Sequence, residues 1–259
     1  MRTIQAMRYI TPLREGGSVP AVIEADDGET YVLKFRAAGQ GPKALVAELL
    51  GGEIGRQLGL NVPELLFVEL DPLLARNEPH QEIRETITAS AGLNLGMRFL
   101  PSAFAYNPLL KPTPDAELAA QIVWFDSYIL NVDRTARNVN LLIWQQALWL
   151  IDHGAAFYFQ HDWSTAQEKV RSPFAMVRQH VLLPFAGDFE AVDAQSKARL
   201  GDEVLQSIVG LLPDAWLGEE KLFADAEAQR QAYFNFLRQR RDESSFFVEE
   251  ASRVRKQIA

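Results

Sequence analysis

The sequence predicts an α+β fold of two lobes, a small β-rich lobe in front and a larger, mostly helical lobe behind. Two patterns predict it. Short strand-like runs divided by glycine turns fill the first part of the chain, and helical spacing dominates from Asp115 onward. Size agrees with this: 259 residues, 47% of them hydrophobic, suffice for one large domain or two small lobes with a sizeable core. The expected division is residues 1–100 and 101–259, the front lobe being an antiparallel sheet with one helix.

The elements follow in order. "IQAMRYI" reads as a strand, "REGGS" as a glycine turn, and "VPAVIEA" as a second strand. Asp27-Gly28 is a hairpin turn signal, and "TYVLKF" is the third strand. In "GPKALVAELLGGEIGRQLGL", Leu45, Val46, Leu49, Leu50, Ile54 and Leu58 recur at helical spacing. Pro42 suits the start of that helix, while Gly51 and Gly52 weaken it locally. "VPELLFVEL" reads as a strand, "EPHQEIRETITAS" as a short helix, "GLNLGMRFLP" as extended chain and "NPLLKPTP" as a surface connection. "DAELAAQIVWFDSYIL" is helical, and "VNLLIWQQALWLID" makes two short strands about a turn at Gln145-Gln146. Residues 160–259 read as several helices broken near Pro173, Pro184 and Pro213. Trp124, Trp144 and Trp149 lie in apolar stretches and are expected in the core. "RQRRDESSFFVEEASRVRKQIA" reads as a solvated helix, with Phe246 and Phe247 available to a partner.

Composition excludes several function classes. A formal net charge of -8 argues against broad nucleic-acid binding, which needs clustered Lys and Arg, but leaves room for a nucleotide ligand. The chain has no cysteine, so disulfides, thiolate metal sites and cysteine catalysis are ruled out, and a reducing compartment suits it. With no secretory signal and no apolar run long enough to span a bilayer, the reading is a soluble, cytoplasmic protein with no membrane partner. His80, His153, His161 and His180 show no zinc-ligand spacing. "GQGPKA" fits a dinucleotide fingerprint, but the hairpin before it is antiparallel in pattern, whereas that fingerprint needs a parallel βαβ unit.

The chemistry-bearing stretch is "NVDRTARNVNLLI", followed by "LIDHG". Phosphoryl transfer needs a carboxylate beside the attacking group, oxygen ligands for Mg²⁺ and a cation on the ATP phosphates. Asn138 follows Asp133 by five residues, a hairpin follows, and Asp152 with Gly154 closes the series. The front half supplies a glycine turn (Gly16, Gly17), a lysine on the third strand (Lys34) and a helix carrying Glu48, in the order that kinases use. Taken singly, each residue has a plain structural reading as a surface charge, a turn or a cap; their joint order favours a kinase.

With "GGSVP", "DDGETYVLKF", "GQGPKALVAELLGGEIGRQLGLNVPE", "GLNLGMRFLP", "FDSYILNVDRTARNVNLLIW" and "LWLIDHGAAF", the chain resembles the HipA-like kinase domain family of the protein-kinase-like superfamily and, more distantly, phosphoinositide kinases. The resemblance implies a bilobal fold with ATP in the cleft between the lobes. It implies that Asp133 is catalytic, that Asn138 and Asp152 bind Mg²⁺, that Lys34 binds phosphate and that Glu48 pairs with it. Gly16, Gly17 and Ser18 would cover the phosphates. The "NLGMRFL" hinge would meet the adenine near Met97 and Phe99. Two departures stand out: Thr135 where such kinases usually have His, and His153 where Phe is usual between Asp and Gly. Arg137, beside Asn138, is suited to the phosphate charge, or it pairs with an acidic neighbour. The expected function is an ATP- and Mg-dependent phosphotransferase acting on a protein Ser or Thr or on a small-molecule hydroxyl. The alternatives are a nucleotide-binding pseudokinase acting through a partner protein, and transfer of AMP rather than phosphate.

Overall fold

The computed structural model describes residues 1–13, 20–111, 113–218 and 220–258. Five strands form a closed barrel in the order β1-β2-β3-β5-β4: β1 (Thr3–Pro12), β2 (Ala21–Ala25), β3 (Thr30–Lys34), β4 (Leu65–Leu70) and β5 (Gly92–Arg98). Two helices are inserted, α1 (Pro42–Gln57) after β3 and α2 (Gln81–Ala89) after β4. Pairing is antiparallel throughout, except that β1 runs parallel to β4 through Thr3–Phe67, Ile4–Val68 and Gln5–Glu69 and so closes the barrel. The β2–β3 hairpin turns at Gly28, whose φ of 80° a glycine adopts at no steric cost.

The rear of the chain begins with β6 (Phe104–Ala105) and α3 (Ala116–Tyr128). The hairpin β7 (Leu141–Trp144) and β8 (Ala147–Leu150) follows, with β6 as a third strand on β7. Gln145 and Gln146 both have positive φ, 49° and 63°, as a two-residue type I′ turn requires. Then come α4 (Ala166–Val170), α5 (Phe189–Arg199), α6 (Asp202–Val209), α7 (Ala226–Asp242) and α8 (Ser245–Ile258). Pro173, Pro184 and Pro213 all fall outside these α-helices, Pro184 within a 3₁₀ turn. The two-residue β6 and the 3₁₀ turn Pro72–Asn77 are too short to leave a period in the sequence. Among the described residues no helix is long and apolar enough to cross a membrane.

Burial divides into two cores. Ile4, Ile23, Leu33, Leu66 and Val68 fill the barrel, with Ile87 of α2 against them. Val32, Leu65, Leu95 and Met97, on the outer face of the barrel, instead join α1 and the whole helical lobe. Thus α1 belongs by packing to the rear lobe as much as to the strands that flank it in sequence. Its glycines explain how it gets there. A Cβ on Gly51 would lie 2.7 Å from His153 Cβ, and one on Gly52 2.4 Å from Leu65 Cδ1. They are close-approach positions, so the helix propensity given up at them is exchanged for contact with the Asp152 loop and β4.

Three sequence expectations need correction. Trp124 is core, at 1% exposure, but Trp144 and Trp149 are half-buried and meet edge to face on the β7–β8 hairpin at 5.1 Å. The C-terminal stretch is two helices, and neither is merely solvated. Phe247 is buried against Trp124, so only Phe246 is exposed. Arg240 is fully buried with no carboxylate partner among the described residues. It donates to the carbonyls of Ser127 (2.6 Å) and Tyr128 (2.9 Å) at the end of α3, and to those of Lys169, Val170 and Ser172 around the end of α4. Two helix C-termini, with their partial negative charge, supply the counter-field.

Gly51→Ala is expected to destabilise the protein by about 1–3 kcal/mol, because α1 or the Asp152 loop must shift. An exposed Gly→Ala helix substitution instead stabilises by about 1 kcal/mol. Chemical denaturation decides between the two signs.

Candidate active site

The site is built on three supports. Lys34 is the last residue of β3, Glu48 lies on the second turn of α1, and Asp152 follows β8. The Lys34 ammonium bonds Glu48 Oε2 at 2.7 Å and Asp152 Oδ1 at 2.8 Å, the latter across 118 residues of chain. The His153 N–H also donates to Glu48 Oε2, at 2.8 Å. Burial would push the Glu48 carboxyl up, but Lys34 and His153 together outweigh it and hold it well below the usual carboxylate range. Burial likewise lowers the Lys34 pKa, and Glu48 and Asp152 more than reverse this, so the amine stays protonated. Asp152 has φ 58°, a left-handed conformation that Asp tolerates. It sets the carboxylate toward Lys34 just where the next N–H reaches Glu48, an instance of backbone strain concentrated at a site.

His153 stands where Phe is usual and packs as an aromatic. Its ring meets Phe125 edge-on at 5.5 Å, and neither ring nitrogen has a hydrogen bond among the described residues.

The loop between α3 and β7 is organised by Asp126, fully buried on α3. Its Oδ1 accepts from Asn131 Nδ2 (2.8 Å), and its Oδ2 from Arg134 Nε (2.6 Å) and His180 Nε2 (2.8 Å). His180 Nδ1 accepts from the Leu182 N–H, so Nε2 carries the proton. Arg134 also donates to the carbonyls of Asn140 and Ile151, tying the loop to both hairpin strands' ends. Asn131 Oδ1 accepts from the Asp133 N–H at 3.2 Å. Asp133 is thereby presented with its Oδ2 accepting from Asn138 Nδ2 (2.6 Å) and Asn140 Nδ2 (3.4 Å). Thr135 has a structural part here. Its backbone bridges His180, and its hydroxyl accepts from the N–H groups of Arg137 and Asn138, both at 3.3 Å.

Lys34, Met97, Phe99, Asp133, Arg137, Asn138 and Asp152 all line one cleft of about 1380 Å³, with Glu48 buried behind Lys34. Arg137 is exposed and has no ion pair among the described residues, so an acidic neighbour does not account for it. At the end of β5, the Arg98 N–H goes to Glu64 O (2.8 Å) and the Phe99 N–H to Thr30 O (3.2 Å), so both donors are engaged inside the protein. Gly16, Gly17 and Ser18 lie outside the described residues. No group of three or more His, Cys, Asp or Glu among the described residues makes a metal cage. Asn138 and Asp152 both line the cleft and offer hard oxygen donors, a set that suits Mg²⁺ arriving with phosphates.

Asp126 and Asn131 were not singled out from sequence, and His180 was weighed there only as a zinc ligand. The available signal was a carboxylate inside the apolar helix "IVWFDSYIL", which must find a buried partner.

The Asp126 carboxyl is pushed up by burial, and Arg134 and His180 overcome this to hold it far below its ordinary value. A depressed folded-state pKa adds stability that is fully present above the unfolded value near 4 and is lost as pH falls through the folded one. Asp126→Asn should therefore flatten the acid limb of the stability profile below about pH 4. It should also destabilise by about 3–5 kcal/mol at pH 7, where Arg134 is left buried without its counter-charge. Urea melts over a pH series test both.

No curated protein matches this sequence. Among solved structures, the fold is similar to that of the Helicobacter pylori proinflammatory kinase CtkA, with a TM-score of 0.56 over 99% of each chain at 14% identity. It is similar also to the Golgi casein kinase with Mn/ADP bound, with a TM-score of 0.52 over 96% of this chain and 74% of that one at 13% identity. These likenesses establish the kinase-like bilobal fold. The sequence matches the HipA-like kinase family over residues 7–249, and with that match the chain belongs to the HipA-like kinases.

Proposed function

We propose that this kinase is an ATP- and Mg²⁺-dependent phosphotransferase whose acceptor is a protein Ser or Thr or a small-molecule hydroxyl. The observation that carries the reading is the pairing of Lys34 with both Glu48 and Asp152 beside the Asp133–Asn138 pair in one cleft. The boundary between the lobes is taken at residue 100, where the hinge ends. Lys34 binds the α- and β-phosphates, and Glu48 holds its ammonium in place. Asp133 orients the acceptor hydroxyl and takes its proton as the oxygen attacks the γ-phosphorus; the bond from that phosphorus to the β–γ bridging oxygen breaks, and ADP leaves with the electron pair. Arg137 faces the charge on the transferred group. Asn138 and Asp152 would hold Mg²⁺, which neutralises phosphate charge when bound. The divalent ion and nucleotide of the Golgi casein kinase support this pairing of ligands. A cytoplasmic setting fits a cysteine-free chain.

A second reading, a nucleotide-binding pseudokinase that acts through a partner, is favoured by Thr135, whose hydroxyl serves the loop rather than the cleft. Mg²⁺-dependent ATP turnover separates the two. Asp133→Ala should lower the turnover number by about 10²–10⁴-fold with nucleotide affinity retained. Asp152→Ala should weaken the response to Mg²⁺ as well. Equal turnover in the native protein and both variants rejects the phosphotransferase. Thermal stabilisation by ATP and Mg²⁺ with no transfer of either labelled γ-phosphate or labelled AMP selects the pseudokinase. Transfer of the α-label instead selects AMP transfer.

A further inference from the structure

Glu48 and Lys34 come from bodies held in different ways. The helix carrying Glu48 is gripped by the rear lobe at both ends. Gln121 Nε2 donates to Leu58 O at 2.8 Å, Arg199 donates to the same carbonyl, Gln160 Nε2 donates to Lys43 O at 3.1 Å, and Lys43 pairs with Glu220. Lys34 sits on the barrel, which meets that helix directly where Gly52 lies against Leu65 and is tied to the rear lobe at a further place.

Trp216 fills that place. It ends the 3₁₀ turn Asp214–Trp216 after α6 and is 3% exposed. Its indole N–H donates to Leu93 O of β5 at 3.1 Å, and its ring meets Phe67 of β4 edge-on at 5.5 Å. Phe67 stands opposite Leu95 on β5, and Leu95 stands opposite Lys34 on β3. Residues level across a sheet share one face. Phe67, Leu95 and Lys34 are therefore one transverse row on the face turned toward α1, and Trp216 holds that row at its far end.

We propose that Trp216 is a positioning residue for Lys34. By anchoring the Phe67–Leu95–Lys34 row to the rear lobe, it sets the ammonium against Glu48 and Asp152. The proposal rests on the assignment of Lys34 as the phosphate-binding cation, and its consequence is that loss of the anchor loosens Lys34 while the rest of the fold persists.

The experiment is trace acetylation of the folded protein with N-acetoxysuccinimide, with the rate at Lys34 read by peptide mass spectrometry. The panel is the native protein, Trp216→Leu, Trp216→Phe and Phe247→Leu. Phe247→Leu disturbs the same lobe's core under Trp124, away from the barrel. Lys34 should react roughly tenfold faster in Trp216→Leu, by a smaller factor in Trp216→Phe, which keeps an aromatic edge but not the N–H, and at the native rate in Phe247→Leu. An unchanged Lys34 rate in the Trp216 variants overturns the proposal, as does an equal rise in Phe247→Leu, which would mean general loosening. Should Trp216→Leu fail to fold, Trp216→Phe is judged by the same criteria. Calorimetry with Mn²⁺ and ADP on the same panel keeps the two readings apart. A native protein that binds no MnADP sinks the kinase reading, while the acetylation rates still decide the anchor.

Discussion

One ammonium group lies between two carboxylates that come to it from different parts of the chain. Lys34 is half of a buried pair with Glu48 and half of a more exposed pair with Asp152. Burying such charges costs several kcal/mol per ion before any attraction is counted, so the pairs are weak evidence for stability. Glu48 even leaves Oε1 without a hydrogen bond. An arrangement of this cost makes sense as a device for holding geometry. It requires a barrel strand, α1 and the chain after β8 to converge at hydrogen-bond distance, and the glycine-faced side of α1 is what lets the last of these approach.

The opposite wall of the cleft depends on a second buried charge, Asp126. Its two oxygens take three side-chain donors, from Asn131, Arg134 and His180, and these in turn fix the loop, the hairpin ends and the segment near residue 180. Asp133 inherits its place from this network. Arg240 performs a related service with no acid at all, gathering the carbonyls at the ends of α3 and α4 just before the loop begins. In each case the charge is satisfied by several fixed partners, the condition under which a buried polar group rigidifies rather than destabilises.

Much of this was legible in the sequence. The Asp27-Gly28 turn, the α1 stripe from Leu45 to Leu58 and the hairpin about Gln145-Gln146 are local signals, and local physics sufficed for them. So were the candidate cleft residues, because Asp133 with Asn138, and Asp152 with Gly154, keep their spacing within short stretches. The role of Gly51 was not legible, since a glycine that weakens a helix and one that permits contact look alike until the contacting residue, His153, is known. Trp144 and Trp149 sat in apolar runs yet came to rest half-exposed on a hairpin, because a small three-stranded sheet covers its residues on one side only. Arg240, inside a mixed-charge stretch, gave no sign of burial, because its partners are carbonyls rather than side chains.

By itself the sequence determined the order of most strands and helices, the α+β class and the spacing of the polar residues that line the cleft, for these follow from periodicity, turn chemistry and short spacings. Tertiary structure alone decided that β1 closes the barrel on β4, that α1 packs with the rear lobe, that Asp126 gathers the loop before β7 together with His180, and that Trp216 docks on β4 and β5. Each of these is a contact between residues far apart in the chain. Such contacts are chosen by which surfaces bury together, and no local pattern records that choice.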